Sequence, residues 1–397
     1  MFLAVVTMIF FSQVIQNPDT EGKMTIQFFE DLRFGAEGGE NYEWFDGQTP
    51  VVMDVSPNGY MYVVDMKESR VVEFNEKGEF TRIVGKRGEG PGEYQNLGAF
   101  RILADGTAIG RDNLQALAKF YYFDKDMKYI DTKLVQDLQK IIVASDISPN
   151  GDLMFCWLIS VNTETGNMTF RMAFLDSEFN EVRTMVSGDW PRQDPSRFND
   201  SEYWVDNLAG QFNAMVAQNV YQIGFLPDGS TLILDSKKYT IEKWSKNLEE
   251  KLAVIQKNFT PKPSTQAETD AMVENLQEII FSQGGNQFEQ ILTESVLRRA
   301  IEKADLPKVQ FPALAVTSIG DKHFGIVSKG SLDTGEVTFD LFQNDGKFIG
   351  KAAFPGTGVY GLFGLRVLFK NGFAYAMEKN EDGDNQVVRY RYDFVKR

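Results

Sequence analysis

A strand–turn–strand unit recurs along the whole chain, and it restricts the possible folds more than any other feature. The clearest copy, 51–84, has four apolar segments of strand composition separated by short polar turns. Its turns, 56–59 and 75–78, end in glycine, which readily adopts the positive φ that tight hairpins require. The turn glycines of successive copies are Gly59, Gly106, Gly151, Gly229, Gly320 and Gly372.

The spacing of these glycines predicts the number of units. Uninterrupted spacings run from 45 to 52 residues, whereas 151–229 and 229–320 each hold one unit and an insertion. Such a period is typical of four-stranded propeller blades. The sequence therefore predicts an all-β fold, a six-bladed β-propeller. Two separate β-sandwiches are the alternative, and the persistence of the period across every plausible boundary disfavours them.

The two ends of the chain complement each other. The sixth unit reaches Arg397 after three strands, and 23–34 is a strand-like segment without a unit of its own. Pairing the two would remove two exposed strand edges. We therefore predict a single propeller domain over 23–397, closed by its N-terminal strand. Residues 1–22 are predicted to be a signal-like or anchoring apolar segment and a linker.

Residues 1–11 are apolar and too few to span a bilayer as a stable helix. They resemble the apolar region of a secretory signal peptide, although basic residues before it and a clear cleavage site are missing. A cleaved signal and an uncleaved anchor both remain open. We predict an exported protein, whether periplasmic, extracellular or anchored to a membrane by this segment.

The charge balance excludes two classes of partner. The formal net charge is −15, and nucleic acid is bound largely through Lys and Arg. An anionic membrane surface is disfavoured for the same reason. A small molecule, a glycan or a protein remains as the partner.

Few residues offer reactive chemistry. Cys156 is the single cysteine and lies in an apolar run, which favours a buried inert thiol over a nucleophile. His323, the single histidine, stands where a turn enters a strand, which favours a solvated side chain over a catalytic one. The segment 380–385 is acidic but lacks calcium-loop spacing, which favours a hairpin turn. We predict no metal and no cofactor.

The segment Gly85–Tyr94, GKRGEGPGEY, resembles one that follows the first blade in a bacterial six-bladed propeller family related to NHL-repeat and TolB-like propellers. In 63–74, Asp65 ends one strand and Arg70 opens the next, which is similar to the NHL phrase. The segment 38–41 also resembles that family. The resemblance is specific over about 40–100, and later blades depart from it. It implies the fold and, commonly, export, but no reaction.

Three long connections follow outermost strands: 86–98, 189–218 and 255–313. Because strands run from the channel outward, these connections should share one face. The third is predicted to contain a helical hairpin (about 262–308) between blades four and five, either a lid or a structural cap. The second sets aromatics beside carboxylates, which suits sugars or cationic ligands but is more typical of a small core of its own.

We therefore predict an exported, non-catalytic binding propeller that presents this loop-decorated face to a ligand or protein partner. The candidate contacts are Arg87, Glu89, Glu93, Trp190, Tyr203 and Trp204. The alternative is a metal-dependent hydrolase or lactonase with a carboxylate and Asn site in the channel. It is disfavoured because the inward positions do not repeat an acidic residue: Asp54, Arg101, Asp146, Gly224, Thr317 and Arg366. A purely structural scaffold remains a third possibility.

Overall fold

The structure is a computed structural model that describes residues 12–35, 53–65, 68–114, 117–135, 141–161, 168–190, 194–267, 270, 273–274, 290–330, 336–356, 360–361, 364–365 and 367–397. Over these residues the chain forms six blades of four antiparallel strands: four blades lie in separate sheets, and two share one eight-stranded sheet. The predicted six blades are confirmed.

The first three blades are continuous in sequence. Blade one contains β3 (Met53–Val55), β4 (Met61–Asp65), β5 (Arg70–Phe74) and β6 (Phe80–Val84). Blade two contains β7 (Leu97–Ile102), β8 (Ala108–Leu114), β9 (Leu117–Phe123) and β10 (Tyr129–Val135). Blade three contains β11 (Ile141–Ile147), β12 (Leu153–Val161), β13 (Met168–Asp176) and β14 (Glu181–Trp190).

The other three blades all contact the N-terminal segment, which supplies the fourth strand of blade six. Blade four contains β15 (Tyr221–Phe225), β16 (Thr231–Asp235), β17 (Thr240–Trp244) and β18 (Lys251–Lys257). Blade five contains β19 (Ala315–Ile319), β20 (His323–Gly330), β21 (Val337–Gln343) and β22 (Phe348–Ala353). Blade six contains β25 (Val367–Lys370), β26 (Phe373–Lys379), β27 (Asn385–Lys396) and β2 (Met24–Phe34), and a short hairpin of β23 (Tyr360–Gly361) and β24 (Gly364–Leu365) precedes it.

Strand β2 lies antiparallel to β27, with Met24 opposite Lys396 and Phe34 opposite Val387. This pairing confirms the predicted closure of the ring. The structure adds a strand that the sequence analysis assigned to a linker: β1 (Gln13–Asn17) pairs in parallel with β18 as a fifth strand of blade four. We call residues 13–34 the strap, because they run along the outer edges of blades four, five and six.

The buried apolar side chains connect neighbouring blades all the way around the ring. Among the described residues they form six clusters that each combine side chains of two neighbouring blades. Phe100 of blade two, for example, packs with Tyr62 of blade one at a ring-centroid distance of 5.9 Å. Because every blade is buried on both faces, each one depends on its two neighbours for its stability.

A buried ion pair lies beneath the strap at the junction of blades four and five. Lys257 Nζ is 3.4 Å from Asp340 Oδ2, and the two side chains are 3% and 1% exposed. The Tyr239 hydroxyl donates to the same carboxylate. Asn17 of the strap fixes this corner, since its amide donates to the carbonyl of Gly346 and its Oδ1 accepts from the backbone N–H of Phe348.

The two insertions contain helices. α1 (Ser201–Asn219) lies between blades three and four, in the second long connection, for which no helix was predicted. α2 (Glu294–Lys303) lies in the predicted helical insertion between blades four and five, and residues 266–267, 270 and 273–274 are helical as well. None of the described helices is long and apolar enough to cross a membrane.

Candidate functional site

The connections between blades meet at one face of the ring. Each blade begins at its innermost strand and ends at its outermost strand, so the connection to the next blade emerges on the same side every time. Both helices and the Gly-rich segment after blade one belong to such connections. The opposite face carries the short turns that join the first and second strands of each blade.

The two insertions fold into one unit, which we call the platform (α1, α2 and the described residues of 194–219 and 263–309). It has a core of its own, formed by Tyr203, Trp204, Val205, Leu208, Phe212, Val273, Leu292, Val296, Leu297, Ala300 and Ile301. The backbone of Pro263 pairs with that of Val309 and closes the base of the second insertion. The platform rests on blades three and four, because α1 contacts β14 and β15.

Ion pairs join the exposed sides of the two helices. Arg299 on α2 binds Glu202 on α1, and Lys303 binds Asp206 one turn further along. All four side chains are at least 43% exposed. Exposed pairs of this kind stabilise little and keep their charges available at the surface.

The aromatic candidates of the second connection are placed unequally. Tyr203 and Trp204 are 7% and 5% exposed and belong to the platform core. The Trp204 indole donates to the carbonyl of Phe198, and the Tyr203 hydroxyl accepts from the backbone N–H of Asp194. Neither ring presents a face to a ligand. Trp190 ends β14, and its side chain lies outside the described residues.

The candidates of the Gly-rich segment lie on its surface. Glu93 accepts from the backbone N–H of Gly90 and lies 3.4 Å from Lys86, and these contacts lower its pKa below the usual range. A β-carbon on Gly88 would come within 2.0 Å of the Glu93 carboxylate, so the loop closes around this side chain. Arg87 is exposed, and the exposed Glu89 accepts from Gln95.

The segment is held to the ring by Tyr94, which is fully buried. Its ring packs where Gly85 and Gly110 leave room, since a β-carbon on Gly85 would lie 2.3 Å from the Tyr94 ring. Asp112, also fully buried, accepts from the backbone N–H groups of Gln95 and Asn96. The glycines therefore permit a sharp crossing between blades.

Charged side chains line the channel at the end opposite the platform. Asp54, Arg101 and Asp146 each precede a turn glycine by five residues, on the innermost strands of blades one, two and three. Blade six contributes Lys370, at the end of β25. We call these four residues the channel charges. Arg366, the residue predicted at this position of blade six, lies outside the described residues.

Asp54 is 1% exposed, and its carboxylate is fully engaged. Lys370 Nζ lies 2.6 Å from its Oδ1, and the backbone N–H of Ile102 donates to its Oδ2 over 2.7 Å. Burial lowers the pKa of Lys370, despite the attraction of Asp54. These contacts join the innermost strands of blades six, one and two.

Arg101 is bound much more loosely. Its Nε lies 3.6 Å from Asp54 Oδ2, and its NH2 group lies 3.9 Å from Asp146 Oδ1. Both distances exceed those of a hydrogen bond. The Arg101 side chain is 30% exposed and that of Asp146 is 48% exposed. The channel therefore contains a guanidinium and a carboxylate that form a loose ion pair without a hydrogen bond.

Blades four and five contribute no charge at the corresponding places. Gly224 packs against Val316, and a β-carbon on Gly224 would lie 3.0 Å from the Val316 side chain. The neighbouring Thr317 donates to a backbone carbonyl. The described residues include no group of three or more His, Cys, Asp and Glu side chains that could hold a metal ion.

Cys156 and His323, the two side chains with reactive chemistry, both pack against other residues of the fold. Cys156 is fully buried, and burial raises the pKa of its thiol to about 12. His323 stacks on Phe394 at 4.1 Å between ring centroids, and burial lowers the pKa of its imidazole. The acidic segment 380–385 forms the hairpin turn between β26 and β27, as predicted.

A groove of about 340 Å³ opens at the junction of blades six and one, on the face opposite the platform. Its charged side chain Arg389 stacks over Phe373 and is bonded to Asp31 and to the carbonyl of Glu76. The guanidinium is therefore already neutralised within the fold.

Residues 55–221 match the model of a family described as a 6-bladed beta-propeller. The chain is a six-bladed β-propeller. This agrees with the resemblance found in the Gly-rich segment, and the Asp65–Arg70 pair of the NHL-like phrase is formed, with 2.9 Å between Arg70 Nε and Asp65 Oδ2. No protein of curated function matches the chain.

Several solved structures are similar to this propeller. A member of the duf4221 family from Bacteroides vulgatus has 9% identity and a TM-score of 0.50, over 95% of this chain and 100% of that one. A candidate exported protein from Bacteroides fragilis has 11% identity and a TM-score of 0.47, over 97% and 100%. Virginiamycin B lyase from Staphylococcus aureus has 9% identity and a TM-score of 0.41, over 93% and 99%. At 9% identity, the likeness to the duf4221 protein shows the fold alone.

Sequence reasoning missed two parts of this arrangement. Trp204, Leu208 and Phe212 are spaced by four residues after Asp200, a good helix N-cap, and this pattern indicated α1. Lys370 was missed because blade six joins its first two strands by a shorter turn, which shifts the inward position along the chain.

Proposed function

We propose that this propeller is an exported, non-catalytic binding protein whose platform face receives a ligand or protein partner. The observation that carries the proposal is the platform itself. Two connections from different blade junctions fold together around a core that the six junction clusters do not share. Closing the ring does not require such a unit, and binding surfaces of propellers and barrels concentrate on the face that bears the long connections.

The surface chemistry supports recognition of a partner. The platform exposes two acidic residues of α1 beside two basic residues of α2: Glu202, Asp206, Arg299 and Lys303. Exposed charges of both signs give specificity and influence association rates, while the apolar platform core keeps the surface rigid. Export is supported by the apolar composition of residues 1–11.

The reactive groups favour binding over catalysis. A thiol with a pKa near 12 carries almost no thiolate at neutral pH, so Cys156 is a poor nucleophile. A propeller hydrolase with a metal in the channel would need carboxylate oxygens free to coordinate it. Both oxygens of Asp54 already accept from an ammonium or a backbone N–H.

The proposal can be tested by removing the platform. Replacing 262–308 alone would expose the apolar side of α1, so 191–219 and 262–308 should both be replaced by Gly/Ser linkers. The native chain and this variant would be applied to peptide and glycan arrays. We expect binders of the native chain whose affinity falls at least tenfold in the variant.

A matched control keeps the platform and changes only its charges. Exchanging Glu202 and Arg299 preserves the ion pair but reverses its direction, and we expect it to weaken platform-dependent binders without changing the unfolding transition. Failure to find any binder that needs the platform would contradict the proposal. Conversion of a bound compound into a product would contradict the non-catalytic part.

A further inference from the structure

The channel charges are unequal in a way that points to a ligand. Lys370 and Asp54 satisfy each other at 2.6 Å, whereas Arg101 makes no hydrogen bond to any described residue. A guanidinium has five donors, and leaving them to solvent forgoes strong charge-assisted bonds. Of the two cations among the channel charges, Arg101 is thus the one still available to a bound anion.

Asp146 is placed to bind a cationic group of the same ligand. Its carboxylate is 48% exposed, and one oxygen accepts from the N–H of Ile147 over 2.9 Å. Among the described residues its nearest opposite charge is Arg101, and at 3.9 Å this ion pair lacks a hydrogen bond and leaves each group able to bind a ligand. A ligand that carries one charge of each sign, on adjacent atoms, can bind both groups at once.

We propose that the channel end opposite the platform binds a small zwitterion of the α-amino acid type. The ligand carboxylate is held by the Arg101 guanidinium, and its ammonium group is held by Asp146. A simple anion fits less well, because Asp146 would repel it, and a simple cation would be repelled by Arg101. The uncharged side of the channel, with Gly224 and Val316, leaves these two residues as the polar anchors.

This inference is independent of the platform. The channel charges lie on the innermost strands of blades one, two, three and six, at the end of the channel that the platform does not occupy. The two kinds of binding can therefore be tested separately. Platform binding should survive the channel variants, and amino acid binding should survive removal of the platform.

The test is isothermal titration of the full chain with each of the twenty free amino acids, and with acetate and methylamine as single-charge probes. We expect at least one amino acid to bind, and acetate and methylamine to bind at least tenfold more weakly. Arg101→Gln and Asp146→Asn should each weaken amino acid binding at least tenfold. Arg101→Lys, which keeps the charge but loses the fork of donors, should have a smaller effect.

Blade two supplies a matched control. Lys128 and Asp126 also lie 3.9 Å apart, but on an exposed outer turn, with side chains 74% and 78% exposed. Lys128→Gln and Asp126→Asn should leave amino acid binding unchanged. Circular dichroism of all variants identifies any that fail to fold. If Arg101→Gln fails, Asp146→Asn decides the result, and if Asp146→Asn fails, Arg101→Gln decides it. The proposal is overturned if no amino acid binds, if acetate binds equally well, or if binding survives Arg101→Gln.

Discussion

Gly22 and Gly350 approach each other so closely that neither could carry a side chain. A β-carbon on Gly22 would lie 2.4 Å from the Cα of Gly350, and one on Gly350 would lie 1.8 Å from the carbonyl oxygen of Met24. Here the strap crosses the outer edge of blade five on its way from blade four to blade six. The contact between two backbones joins blades five and six into one eight-stranded sheet.

Substituting Gly350 by alanine should therefore destabilise the protein. The methyl group would overlap backbone atoms that cannot move without shifting the strap, and we expect a loss of about 3 kcal/mol in the free energy of unfolding. Urea unfolding measures this value. Gly383→Ala is the control, because Gly383 has a positive φ of 89° and no atom within 4 Å of its β-carbon. It should cost about 1 kcal/mol. Equal losses in the two variants would show that the close approach is unimportant.

Deleting residues 1–34 should abolish cooperative unfolding. The deletion exposes the edges of β18 and β27 and uncovers Ile26 and Phe34, which are buried in the junction clusters on either side of blade six. A synthetic peptide of residues 13–34 should restore the transition when added to the truncated chain, and a peptide with Ile26→Asp should not. Differential scanning calorimetry distinguishes these cases. An unchanged melting transition in the truncated chain would contradict ring closure by the strap.

The buried pair of Lys257 and Asp340 gives a prediction about stability. Lys257→Met leaves a carboxylate that is 1% exposed without its cation, and we expect a cost of about 3 kcal/mol. Adding Asp340→Asn should recover part of this loss, because the uncompensated charge disappears. Lys303→Met, which removes an exposed platform pair, should change the unfolding midpoint little. If Lys257→Met is as stable as the native chain, the buried pair contributes nothing to stability.

The thiol of Cys156 should be unreactive in the native protein. At pH 8 a thiol reagent should modify it only after unfolding, since its pKa is about 12 in the fold. The native state holds this proton more tightly than the unfolded chain, whose thiol has a pKa near 9.0. The stability of the native chain should therefore fall relative to Cys156→Ala as the pH rises from 9 toward 12. Rapid labelling of folded protein at pH 8 would contradict the burial.

The repeat in the sequence predicted most of the ring. Turn glycines recur because each hairpin needs a positive φ, and Gly59, Gly106, Gly151, Gly229, Gly320 and Gly372 all have one. The closing strand was predictable because a three-stranded last blade leaves an unpaired edge. β1 was not predictable, because a five-residue strand that pairs with residues about 240 positions away leaves no local pattern.

The candidate site was only partly predictable. Asp54, Arg101 and Asp146 were recognised as inward positions from their common distance to the turn glycines. The sequence could not reveal that Lys370 neutralises one of the carboxylates, because that pairing joins positions 316 residues apart. The burial of Tyr203 and Trp204 likewise follows from α2, which meets α1 only through the tertiary fold.

The strap also sets the order in which the molecule can be completed. Residues 13–34 are synthesised before their partners in β18, β22 and β27, which follow more than 200 residues later. Until β27 is synthesised, β2 lacks the strand that it pairs with along its length, and the ring stays open at blade six. The contacts that lock the native state therefore cannot all form before the last strand has been made, which keeps the ring from closing early during synthesis.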